Sequence, residues 1–163
     1  MSIKVRKMLD EDARAFLEVH HAAVRGLAAK DYPLEVIEDW APLPVTEESV
    51  QRFLTNPDCE IRLVAEIDGT IVGIGCLVVA NCELHACYVA PEAARRGVGS
   101  ALVREIERIA RERGLELDCL QMDSSVNAVP FYLHHGYSVR KRGEHPLKSE
   151  RQMACIKMEK TLR

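Results

Sequence analysis

No run of apolar residues in this chain of 163 approaches the length of a membrane-crossing helix, so a helical membrane protein is excluded. Nor is there an excess of charge of one sign. Lys and Arg number 22 against 25 Asp and Glu, and a net charge of −3 does not suit a general nucleic-acid binder. Met1 to Asp10 alternates charge with hydrophobe and holds no signal-peptide core, which predicts a cytoplasmic protein without a membrane partner. The six cysteines (Cys59, Cys76, Cys82, Cys87, Cys119, Cys155) contain no CxxC pair. Reduced, mostly buried thiols are expected rather than disulfides. Internal repeats and linkers are missing too, and one domain over 1–163 is expected.

What is present reads as mixed α and β segments. Ser2 to Lys7 alternates, with Ile3 and Val5 on one face, and predicts a strand. Asp10 or Asp12 caps a helix striped by Ala13, Phe16, Leu17, Ala23, Val24 and Leu27, weakened at its end by Gly26. Pro33 opens a short helix through Trp40, and Thr46 with Glu48 and Ser49 starts another through Leu54. From Cys59 the period becomes two. Ile61 to Ile67, the turn Asp68-Gly69 and Ile71 to Ala80 predict a hairpin. Gly73 and Gly75 leave its second strand bare, where a backbone or a ligand should approach closely. Further on come a strand from Leu115 to Met122, a short helix through His134 and two strands, Tyr137 to Lys141 and Gln152 to Lys160. The polar segment Arg142 to Arg151 is expected to join them.

The chain is organised around the stretch from Glu83 to Arg113. A strand, Glu83 to Val89, leads through Pro91 to Arg95, Arg96, Gly97, Val98, Gly99 and Ser100, and then to a helix expected to end at Gly114. Glycines in a helix's first turn let a ligand reach its unpaired N–H groups. Those donors, the helix dipole and two arginines predict an anion site, most naturally for a phosphate or pyrophosphate. Asn127 is either a helix cap or a ligand contact. Cys82, His85 and Cys87 invite comparison with a metal site. Strict alternation, however, puts only His85 and Cys87 on one face, so no metal is expected. The pairs His20-His21 and His134-His135 diverge around a helix and are expected to pack or to be solvated.

Two blocks of the sequence resemble the GNAT N-acetyltransferases. Tyr88-Val89-Ala90-Pro91-Glu92-Ala93-Ala94-Arg95-Arg96-Gly97-Val98-Gly99-Ser100-Ala101-Leu102 is similar to that family's pyrophosphate-binding motif. Asn127-Ala128-Val129-Pro130-Phe131-Tyr132-Leu133-His134-His135-Gly136-Tyr137 is similar to its Asn and Phe-Tyr region. The order of elements fits over nearly the whole chain. Two features depart from the family pattern: Ala94 stands where Gln or Arg is usual, and Ala128 and Pro130 alter the spacing of small residues. Backbone amides carry most of such an anion contact, and Arg95 or Arg96 is expected to compensate.

The resemblance implies a mixed α/β fold: a mostly antiparallel sheet of about seven strands with a splayed central pair, flanked by helices. It implies acetyl-CoA as cofactor, held by Arg95 to Ser100, by the backbone at Cys87, Tyr88 and Val89, and by Asn127 and Tyr132. It makes Tyr132 the acid for the departing thiolate and Glu83 the base, with His85, two residues along the strand, as the alternative. Tyr32, Trp40 and Glu83 are expected at the acceptor, a small-molecule or protein amine, and the acidic Glu35 and Glu38 hint at a cation. A homodimer through the last strands is also expected. A non-catalytic acyl-CoA sensor is the alternative, disfavoured by the presence of Tyr132 and Glu83. A dinucleotide-binding domain is disfavoured because the glycine turn follows a hairpin and no acidic ribose partner comes after it.

Overall fold

A computed structural model describes residues 1–113 and 119–162. The elements are β1 (Ile3–Lys7), α1 (Ala13–Ala23), α2 (Leu34–Trp40), α3 (Glu47–Leu54), β2 (Ile61–Ile67), β3 (Thr70–Val78), β4 (Glu83–Val89), α4 (Val98–Glu112), β5 (Cys119–Ser124), α5 (Val129–His134), β6 (Ser138–Pro146) and β7 (Gln152–Thr161). The strands form one sheet in the order β1-β2-β3-β4-β5-β7-β6, antiparallel except where β4 meets β5. The expected helix end at Gly114 and strand start at Leu115 lie outside the described residues.

Period two in β2 sorts its side chains between two layers. Leu63, Ala65 and Ile67 pack beneath α4 with Leu102, Val103 and Ile106, whereas Val64 joins Phe16 and Val19 of α1 on the other face. Leu102, Val103 and Ile106 are fully buried, and each such side chain contributes about 1.5–3 kcal/mol. Gly73 and Gly75 make this fit possible. A Cβ on Gly73 would stand 2.6 Å from Val98 Cγ1, and one on Gly75 would stand 3.0 Å from Ile106 Cδ1. The close approach expected there is therefore made by the side chains of α4.

Capping follows the sequence at α3, where Thr46 Oγ1 accepts from Ser49 N–H and Ser49 Oγ accepts from Thr46 N–H, both at 3.1 Å. Asp12 caps from within: its carboxylate accepts from Leu9 N–H at 2.8 Å and pairs with Arg6 at 2.7 Å. Past Ala23 the helix widens into a π turn, Val24–Ala28. Gly26 lies against the ring of Pro91 there, since an added Cβ would come within 2.5 Å of Pro91 Cγ. Two strand readings need correction. β6 continues to Pro146, pairing Arg142 with Ile156 and His145 with Met153, so much of the expected connection is strand. β7 supplies the partner that holds this polar sequence extended. And β4 carries a bulge: Leu84 opposes Leu77 and Ala86 opposes Cys76, which leaves His85 out of register.

Candidate active site

β4 and β5 are in register at one pair, Glu83 with Gln121, closed by Gln121 N–H to Cys82 O at 2.9 Å. Beyond it they part around a cleft of about 390 Å³. The expected splay of the central strands is present. One wall is β4 from Leu84 to Val89; the other is the end of β5 with Asn127, Phe131 and Tyr132, and Ala23, Leu27 and Lys30 border it from the helical side.

At one end of the cleft the chain turns into α4. Gly97 sits at φ +86°, a conformation that glycine adopts without strain, and Arg95 takes φ +60°. The first intrahelical bond is Ala101 N–H to Gly97 O at 3.0 Å, so the amides of Val98, Gly99 and Ser100 precede the ladder. They carry the positive end of the dipole, and Arg95 lines the cleft beside them. Arg96, expected as a second cofactor contact, points elsewhere: its Nη2 lies 2.8 Å from Met1 Sδ and it does not line the cleft. Gly99 makes room for a protein neighbour, because a Cβ there would meet Phe131 Cζ at 3.1 Å. Ser100 Oγ is 2.9 Å from His135 Nε2.

Deeper in, Asn127 Oδ1 is buried with no hydrogen-bond partner among the described residues. An unmet buried acceptor of this kind costs about 1–3 kcal/mol, and a ligand amide or hydroxyl can satisfy it. Tyr132 is buried, lines the cleft and has no hydrogen-bond partner among the described residues. Burial raises its pKa well above the usual phenol value, so it keeps its proton. Cys87 also lines the cleft, with its thiol pushed up to about 12 by burial. A thiol so reluctant to ionise is a poor nucleophile.

The bulge sorts the chemistry of β4. Cys87 packs with Leu84 in the cluster beneath α4, while His85 turns to Glu83 and Glu60, so the shared face expected for His85 and Cys87 is not formed. His85 Nδ1 is 2.6 Å from Glu83 Oε1 and Nε2 is 3.6 Å from Glu60 Oε1. The hydrogen bond to Glu83 outweighs burial and raises the histidine's pKa, with Glu60 adding to it. His85 borders the cleft and Glu83 does not. Glu60 is in turn fixed by Arg62 at 2.8 Å. Across the opening, Asp123 pairs with His145 and Lys157, both at 3.0 Å, and the His85 and His145 rings are 6.3 Å apart. Glu60, Asp123 and His145 escape detection in the sequence, since only the folded sheet brings 60, 85, 123 and 145 together.

Tyr32 and Trp40 stand edge to face at 5.5 Å, with Tyr88 6.2 Å from Trp40 and His20 4.6 Å from Tyr88. Tyr88 therefore directs its ring away from α4 and meets the cleft along its strand. Tyr32 does not border the cleft: it is buried, and its hydroxyl bonds to Ala154 O and Val126 N–H. Burial lowers the His20 pKa to about 3.

An anion cradle at one end of a cleft between parting strands, a protonated phenol within it and a carboxylate-paired imidazole at its edge make the layout of an acyltransferase using a phosphate-bearing donor. The family model for the acetyltransferase (GNAT) family matches residues 12–137. A spermidine N(1)-acetyltransferase of Thermoplasma acidophilum is 29% identical over 146 residues, covering 85% of this chain and 90% of that one. Among solved structures, a GCN5-related N-acetyltransferase from Rhodopseudomonas palustris superposes with a TM-score of 0.86 at 28% identity, covering 99% of this chain and 96% of the other. The PaiA N-acetyltransferase of Thermoplasma acidophilum, solved with coenzyme A, gives a TM-score of 0.74 at 26% identity over 99% of both chains. The chain belongs to the GNAT acetyltransferase family, and it is an N-acetyltransferase that uses acetyl-CoA and an amine acceptor.

Proposed function

We propose that the acceptor is a small alkylamine with more than one positive charge, of the spermidine kind, acetylated by direct attack within a ternary complex. The carrying observation is the acidic setting of the cleft: Asp123 lines it, and Glu83 and Glu60, outside the lining, flank its residue His85. The name of the Thermoplasma relative supports the same class. Arg95, the amides of Val98 to Ser100 and Asn127 would hold the cofactor, and the edge of β4 from Cys87 to Val89 would lie along it. Bound there, acetyl-CoA supplies the thioester that the amine attacks and the thiolate that leaves. His85, fixed by Glu83, takes the proton that the ammonium must lose before its nitrogen can attack. Tyr132 has the two properties required of the acid: a proton kept to high pH and a hydroxyl with no competing partner among the described residues. The high pKa of Cys87 argues against a covalent acetyl-enzyme. Tyr132 and Glu83 together favour an enzyme over a sensor. Trp40, packed against Tyr32 and Tyr88, does not border the cleft, so no role at the acceptor is proposed for it.

We further propose a cytoplasmic setting, supported by the free thiols of Cys59, Cys76, Cys87, Cys119 and Cys155, and a homodimer at β6, an edge strand exposed along most of its length. No helix among the described residues is long and apolar enough to cross a membrane.

Release of free CoA across an amine panel tests the acceptor: spermidine and related polyamines should turn over fastest, and preference for a neutral or acidic amine would overturn the assignment. In the same assay Tyr132→Phe should lower kcat about 100-fold or more, as for loss of a general acid, with acetyl-CoA affinity retained. Full turnover by this variant would remove Tyr132 from the chemistry.

A further inference from the structure

The Tyr32 hydroxyl makes two long-range hydrogen bonds. It donates to the Ala154 carbonyl on β7 at 2.7 Å and accepts from Val126 N–H at 2.9 Å. The ring is 8% exposed and packs with Val24, Val36, Ile37 and Met153. Val126 opens the 3-10 turn Val126–Ala128, which has no side-chain cap of its own, so its leading N–H is held by a tyrosine from the other end of the chain. The next residue is Asn127, whose Oδ1 has no hydrogen-bond partner among the described residues, and α5 with Tyr132 begins two residues later.

We propose that Tyr32 is a positioning residue for cofactor binding: its hydroxyl pins Val126 N–H to β7 and thereby sets Asn127 in the cleft wall. The inference rests on Asn127 touching the cofactor. Without the pin the turn must be ordered when the cofactor arrives, and that ordering is subtracted from affinity. The segment expected to touch the acceptor thus acts on the opposite substrate.

The test measures the acetyl-CoA dissociation constant by calorimetry, with the amine KM and Tm alongside, for Tyr32→Phe, Asn127→Ala and the double variant. Tyr32→Phe keeps the ring and removes both bonds; it should weaken acetyl-CoA about fivefold, the equivalent of roughly one hydrogen bond. On the Asn127→Ala background the same change should add less than about twofold, because coupled residues are not additive. Val126→Pro deletes the bond from the other side at the first position of a turn, after a Ser125 already at φ −60°, ψ 151°, which suits a residue preceding proline. It should reproduce the loss, and it carries the test if Tyr32→Phe does not fold. Additive effects, or a lower Tm or higher amine KM with acetyl-CoA binding intact, would overturn the proposal. Wild-type affinity in Asn127→Ala would remove Asn127 from the cofactor site and the proposal with it. A weakened Asn127→Ala beside an unaffected Tyr32→Phe would sink the pin alone.

Discussion

With Nδ1 on Glu83 at 2.6 Å and Nε2 3.6 Å from Glu60, His85 faces acceptors on both sides, so its protonated form is favoured. The proposed base is therefore titrated above the ordinary imidazole value of 6.5, and kcat/KM for the amine should rise with pH through that raised value. Glu83→Gln removes the largest cause of the shift, so the limb should move to lower pH; a limb that stays in place would show that another group titrates. The same pair affects stability: a raised native pKa stabilises fully below pH 6.5, and that contribution is lost as pH rises through the native value. At this scale the neighbourhood of Glu83 and His85 on one strand was legible in the sequence and that of Glu60 was not, because nothing local marks a carboxylate ahead of β2 as a neighbour of β4.

Among the elements, α4 is the one on which both core and cradle depend. Its apolar stripe was legible from period alone, and so was the glycine at its start, since Gly97 occupies a left-handed conformation. The fit of Val98 into the bare strand β3 is a tertiary matter. Gly73→Ala would put a methyl 2.6 Å from Val98 Cγ1 and 3.0 Å from Leu102 Cδ1, and should cost about 1–3 kcal/mol, read as a lower urea midpoint. Gly143→Ala is the control: its Cβ would meet the flexible end of Lys157, at 2.8 Å from Cε, and should be nearly neutral. Equal losses would contradict the packing account. The bulge at His85 and the length of β6 were not legible. A bulge depends on how two strands pair, and the polar run Arg140 to Glu144 shows no alternation until β7 holds it extended.

Taken as a whole, the molecule keeps His20 neutral among Tyr88, Trp40 and His21, with burial the main cause of a pKa of about 3. Burial lowers the pKa values of His21 and His135 in the same direction. Between the unfolded value of 6.5 and the native value of about 3, the unfolded chain binds a proton that the native state refuses, so stability falls as pH falls. Urea midpoints should drop between pH 6.5 and 5, above the range where carboxylates titrate, and His20→Gln should flatten part of the slope. An unchanged slope would mean that His20 is solvated in the native state.

Local patterning determined the elements, the glycine turn into α4 and the family's two motif blocks, because period, caps and φ preferences act over a few neighbouring residues. Tertiary structure alone decided the partners of His85, the turning of Arg96 toward Met1 and the commitment of Tyr32 to Val126 and Ala154. Each depends on side chains far apart in sequence meeting across the sheet, and neither spacing nor composition records such a meeting.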